Sequence, residues 1–137
     1  MIAVDTSLIS YLILPGEFTA EAERVRALDS EWIAPVLWGS EFRNVLRKYL
    51  MAKMITLDEA LAFAESAEQL MADRTLTVFS TDVLRLVASS GCTAYDCEFV
   101  ALAQSLRLPL VTTDVELLRA FRDDAIHPAV FQPHSTQ

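Results

Sequence analysis

Glycine is scarce: the chain holds three in 137 residues. No Gly-rich phosphate loop can be built from so few, and neither GxGxxG nor GxxxxGK[ST] occurs, which removes the common nucleotide-cradling motifs. Cysteine is equally sparse. Cys92 and Cys97 stand five apart, matching neither CxxC nor zinc spacing, and read as small buried hydrophobes in a reducing compartment. The two histidines, His127 and His134, have no partner at ligand spacing, and no Ser-His-Asp or Cys-His arrangement is present. Catalysis by this chain would therefore run on carboxylates and metal. No run approaches the roughly 18 uncharged apolar residues of a membrane span. No Lys or Arg precedes the first apolar stretch and Asp5 interrupts it, unlike a signal peptide, so a cytoplasmic protein is expected. Basic residues are the minority, and the net charge is −8. That weighs against a non-specific nucleic-acid binder, which needs a basic surface. It leaves room for an enzyme that meets nucleic acid through metal ions and a local basic patch, or for a protein that works with a basic partner.

What is present is a globular composition, 53% hydrophobic and 22% charged. The length predicts one domain over 1–137 with a single core. Short apolar runs alternate with helical ones. "MIAV" reads as a strand, 6–13 as a short helix and 17–29 as a helix with acids in its first turn. "WIAP" is a second strand, followed by a long helix over 36–53. A further helix covers 56–73, with Thr56 as N-cap and Glu59 three residues on. "TLTVF" (75–79) is a third strand, then a helix over 82–90 and another over 93–106 opened by Thr93. "LPLVTT" (108–113) is a strand with a short helix after Asp114. "AIHPAV" (125–130) is a weak last strand that Pro128 pushes to an edge, and "FQPHSTQ" looks loose. Continuous apolar strands alternating with helices imply a parallel sheet covered on both faces. Such sheets bind ligands beyond the carboxyl ends of their strands.

Asp5 and Asp114 both fall at such carboxyl ends. Each also has a plain reading as a helix N-cap. Glu41, in "GSEFRNVLRKYL", borders the apolar stripe Phe42, Val45, Leu46, Tyr49 and Leu50, on the side of Asn44 and Lys48. Alone it reads as a solvated boundary residue. Asp96 is the strongest single case. It shares a helix face with Phe99, Val100, Ala103 and Leu106, and a carboxylate turned toward a core must be neutralised, hydrogen-bonded or metal-bound. Thr93-x-x-Asp96 is also a capping-box pattern, and both readings can hold at once. Asp82 follows a strand too, but Ser80, Thr81 and Asp82 look like an ordinary helix start, so capping is expected there. Of the basic residues near Glu41, Arg43 and Arg47 lie on the far flank. Lys48 is on Glu41's side and better placed to reach a substrate.

Together "VDTS", "SEFRNVL", "TAYDCEFVALA" and "LVTTD" resemble, in order and over nearly the whole chain, a PIN-domain protein of the VapC toxin type. The resemblance implies a five-stranded parallel sheet in order 3-2-1-4-5 with helices on both faces. It implies an acidic set at Asp5, Glu41, Asp96 and Asp114, with Asp5, Asp96 and Asp114 as metal ligands and Glu41 orienting a water or a second ion. Thr6 and Thr112 would orient carboxylates or hold a water of the ion. The activity implied is endoribonuclease hydrolysis with Mg²⁺ or Mn²⁺. The partners implied are RNA, a small DNA-binding antitoxin whose tail covers the site, and a second copy in a homodimer. The chemistry agrees with the residues: clustered carboxylates repel one another unless a cation joins them, and Mg²⁺ prefers oxygen ligands.

Two departures bear on substrate choice. After the third acid come Cys97 and Glu98, where many relatives have a small residue. After the fourth come Val115 and Glu116, where many carry a basic one; Glu116 is a candidate for the metal's surroundings. Two rival functions stand beside the nuclease. One is a phosphotransferase or phosphatase with Asp5 as nucleophile, which usually wants a second acid at the position of Ser7. The other is a binding module of the same fold with an unused site.

Overall fold

The computed structural model describes residues 1–133. Its centre is β1 (Ile2–Val4), three apolar residues with neither face open to water. β1 pairs in parallel with β2 (Trp32–Pro35) on one side and β4 (Leu110–Val111) on the other. β3 (Thr75–Leu76) extends the sheet beyond β2, and β5 (Ala125–Ile126) beyond β4. The order is β3-β2-β1-β4-β5, all parallel. The chain therefore steps one way from β1 to β3 and returns to step the other way from β4 to β5. The reversal lies between β1 and β4, which is where a parallel sheet opens a crevice at its carboxyl edge.

Among the described residues seven α-helices make the connections: α1 (Thr6–Ile13), α2 (Thr19–Leu28), α3 (Leu37–Met51), α4 (Leu57–Leu70), α5 (Ser80–Ser90), α6 (Ala94–Ser105) and α7 (Val115–Ala120). α1 to α4 pack on one another, while α5 packs on α6, which lies against β1, β2 and β4. The right-handed sense of parallel crossovers puts these two groups on opposite faces of the sheet. α3 shows how one helix serves both core and site. Trp38, Phe42 and Leu46 are buried at helical spacing, and Glu41, one residue from Phe42, is left at the edge of that stripe. No helix of the described residues is long and apolar enough to cross a membrane.

Most helix ends follow the local chemistry. Thr56 and Glu59 form a full capping box on α4, each side chain bonded to the other's backbone N–H. Cys92 and Cys97 are free thiols, Cys97 buried and Cys92 partly so.

The differences from the sequence reading have identifiable causes. The third strand covers Thr75–Leu76 rather than 75–79, because it is an edge strand that pairs only with the last two residues of β2. The last strand stops at Ile126: Pro128 cannot donate to a ladder, and residues Pro128–Val130 turn into a 3₁₀ helix capped by the His127 side chain. The tail is anchored as far as Phe131, whose side chain is buried and whose carbonyl accepts from Arg24. His134 and the rest of the tail lie outside the described residues. Leu106 closes α6 as its C-cap and is exposed, so the apolar face ends at Ala103. α5 begins at Ser80 with Phe79 at the N-cap and no side-chain cap. Asp82 is thus a first-turn acid facing the helix dipole, not a cap.

Candidate active site

Asp5 is the residue after β1 and the N-cap of α1. Its Oδ1 accepts from the Leu8 backbone N–H at 3.0 Å and its Oδ2 from the Thr112 hydroxyl at 2.5 Å. Only 7% of it is exposed. Asp114 plays the same part after β4. It caps α7, its Oδ1 accepting from Leu117 N–H at 2.9 Å, while its own N–H donates to Thr112 Oγ1 at 3.0 Å. Thr112, fully buried, thus ties the two strand-end acids together through one hydroxyl. Capping and clustering hold at once, because β1 and β4 are neighbours.

Glu41 reaches the same place from α3. Its Oε1 accepts from the Thr6 hydroxyl at 2.7 Å. Asp96 comes from the first turn of α6. Thr93 caps that helix by accepting from the Asp96 N–H at 3.1 Å. The reciprocal bond that Glu59 makes to Thr56 has no counterpart at Asp96. Its carboxylate is therefore left for the crevice.

These four acids line one crevice of about 490 Å³, together with Thr6, Ser7, Leu37, Ser40, Asn44, Val45, Lys48, Tyr95 and Leu117. Their electrostatics follow from this convergence. Burial pushes Asp5 from the ordinary 3.8 up to about 6, against the bonds from Thr112 and Leu8 and with added repulsion from Asp114 and Glu41. Burial also raises Glu41, opposed by the Thr6 hydroxyl and reinforced by Asp96 and Glu98. Asp96 is raised by burial and by Asp114, against the lowering influence of the neighbouring Thr93 hydroxyl. Residues 5, 41, 96 and 114 therefore share one field, and Glu98 extends it.

Of the further sequence candidates, Thr6, Thr112 and Lys48 all belong to this neighbourhood. Lys48 is exposed on the α3 wall and makes no ion pair with the four acids among the described residues. Glu116 points elsewhere: it is exposed and paired with Arg119, so it does not line the crevice. Asp82 lies in a separate groove between α5 and α6. Two polar lining residues, Ser40 and Tyr95, escaped the sequence reading. Ser40 extends the polar side of α3 already marked by Glu41, Asn44 and Lys48, at spacing that could have revealed it. Tyr95 carries no periodic signal.

No three His, Cys, Asp or Glu side chains among the described residues stand in position to ligate one ion directly. The donor set nevertheless fits a hard divalent cation. It is all oxygen, its acids repel one another, and no cationic side chain among the described residues is bonded to it. Mg²⁺ keeps several waters and is commonly held by only one or two carboxylates, so the spacing suits an ion held partly through its waters.

The fold and site together define an α/β protein with an acidic crevice at the reversal point of a parallel sheet. Residues 2–122 match the model of the PIN domain family, and the chain belongs to that family, whose members are typically nucleases that use divalent metals. It is 30% identical over 125 residues to ribonuclease VapC3 of Pyrobaculum aerophilum, covering 88% of this chain and 94% of that protein. Among solved structures, it resembles PAE2754 from Pyrobaculum aerophilum with a TM-score of 0.69 and 26% identity, over 93% of this chain and 90% of that one. FitAcB from Neisseria gonorrhoeae shares the fold, with a TM-score of 0.74 at 18% identity over 96% of this chain and all of that one. So does FitAB bound to the IR36 DNA fragment, with a TM-score of 0.71 at 19% identity over 98% and 99%.

Proposed function

We propose that this chain is a metal-dependent endoribonuclease that hydrolyses RNA phosphodiesters. The observation that carries the reading is the meeting of four carboxylates, from four separate segments, in a crevice without a bonded cation. The name of its relative, ribonuclease VapC3, supports the same activity. Asp5, Asp96 and Asp114 would hold Mg²⁺ or Mn²⁺, which when bound supplies charge neutralisation and activation of a water. Glu41, held in place by the Thr6 hydroxyl, orients the attacking water and accepts its proton; its raised pKa suits it to that exchange. Lys48, two turns along α3 from Glu41, meets a substrate phosphate. Attack by water with departure of the 3′ oxygen leaves a 5′-phosphate and a 3′-hydroxyl. Asp5 is poorly suited to be a phosphoryl acceptor, since it is buried and both its oxygens accept hydrogen bonds.

The biological setting that accompanies this reading is a cytoplasmic, dimeric toxin restrained by a small DNA-binding antitoxin. The net charge of −8 suits a basic partner, and the fold occurs in FitAB bound to DNA. The test is cleavage of labelled RNA by protein purified free of any antitoxin. Cleavage that requires Mg²⁺ or Mn²⁺ and is abolished by Asp96→Asn, with unchanged urea unfolding, supports the nuclease. Absence of metal-dependent cleavage by the unaltered protein overturns it in favour of a binding module.

A further inference from the structure

The crevice has an acidic floor, and its walls offer the substrate a single lysine. Phosphate contacts usually supply most of a protein's affinity for nucleic acid. Here that source is small, and the chain's net charge of −8 opposes it. A ribonuclease built this way needs contacts that do not depend on charge. Stacking of unpaired bases on aromatic rings is the available kind, and it tolerates any sequence because every base has a π-face.

Tyr95 is the one aromatic side chain lining the crevice among the described residues. It sits in the first turn of α6, immediately before Asp96. The same helix buries Cys97, Phe99 and Val100, and the Thr93 cap fixes its rotation. Tyr95 is thereby turned outward and is 64% exposed. Leu37, Ser40, Asn44 and Lys48 form the α3 side of the same crevice. A tyrosine outside the core cluster, next to an acid of the site, is unexplained by the core.

We infer that Tyr95 is the stacking platform for an unpaired base flanking the scissile phosphate. This rests on the ribonuclease reading above. The base lies on the ring while Lys48 holds the adjoining phosphate over the acidic floor. In duplex RNA the bases are already stacked on one another and cannot reach the ring.

Two experiments test this. In the first, a fluorescein-labelled single-stranded oligoribonucleotide is cut with Mg²⁺ by the unaltered protein, Tyr95→Phe and Tyr95→Ala. Tyr95→Ala should show a KM raised about tenfold, the lower range of one lost stacking contact, with kcat little changed, and Tyr95→Phe, which keeps the ring, should rescue most of that loss. Abasic nucleotides are then placed one at a time along the oligonucleotide. At one position the abasic site should slow the unaltered protein as much as Tyr95→Ala does, and should slow Tyr95→Ala no further. Equal KM for Tyr95→Ala, or independent losses at every position, overturns the inference while leaving the nuclease intact.

The second experiment does not need cleavage. The native tryptophans, Trp32 and Trp38, are buried, so the indole of Tyr95→Trp is the exposed reporter. Single-stranded RNA should quench it, and duplex RNA of the same sequence should not. No response to single-stranded RNA, or an equal response to both, refutes the assignment even if the protein proves not to be a nuclease. A response to a basic peptide and not to RNA likewise refutes it, assigning the ring to a protein partner.

Discussion

Replacing Asp5 by Asn should make the metal-free protein more stable at neutral pH, although it disables the site. The carboxyl is buried and its pKa is pushed from 3.8 up to about 6. A folded state that raises an acid's pKa binds more protons than the unfolded chain. Stability is then fully present below about pH 4 and is lost as pH rises through about 6. The gap between 3.8 and about 6 is worth about 3 kcal/mol. Asn keeps the acceptor for Leu8 N–H but offers Thr112 an amine where it had an oxygen, which costs about 1 kcal/mol. The net gain above pH 6.5 is about 2 kcal/mol, or roughly 7 °C in Tm for a chain of this size. Below pH 4 the gain should vanish and the variant should be slightly the less stable of the two. Urea unfolding in EDTA at pH 4 and pH 7.5 measures both. A variant less stable than the parent at pH 7.5, or a difference that does not change with pH, would refute the idea that burial and like charge strain this carboxylate. Added Mg²⁺ should stabilise the parent more than the variant, since an ion that binds only the native state adds to its stability.

Thr6→Val removes the hydroxyl that holds Glu41, and should lower kcat on RNA about tenfold with KM little changed, read by steady-state cleavage. Thr56→Ala breaks the capping box of α4, far from the crevice lining; urea unfolding should show about 1 kcal/mol lost while cleavage is unaffected. Glu116→Gln should cleave RNA at the parent rate in the same assay, because its partner is Arg119 and not the site.

Asp5 and Asp114 could be read from sequence because each interrupts apolar sequence at a strand end, where a parallel sheet opens its crevice. Asp96 could be read because it falls on a face that goes on to bury Phe99 and Val100. Glu41 could not be separated from an ordinary boundary residue by helix periodicity alone; its place depends on α3 packing beside α1, which brings Thr6 within hydrogen-bond reach. The same limit hid Phe131. Its segment reads as a tail, and what fastens its carbonyl is Arg24, 107 residues earlier. β3 fell short of "TLTVF" for a related reason: strand propensity sets what a segment favours, while the length of a strand is set by the partner it finds. Tyr95 escaped because an exposed aromatic gives no periodic signal, and only the walls of the crevice show what it faces.

The central claim is that these four acids form one site completed by a divalent cation. Mn²⁺ binding to the metal-free protein, followed by electron paramagnetic resonance of the free ion, tests it without any assumption about substrate. The account predicts tight uptake that weakens at least tenfold in Asp114→Asn and equally in Asp96→Asn, although the two residues lie on different helices. Uptake unchanged in both variants would contradict it.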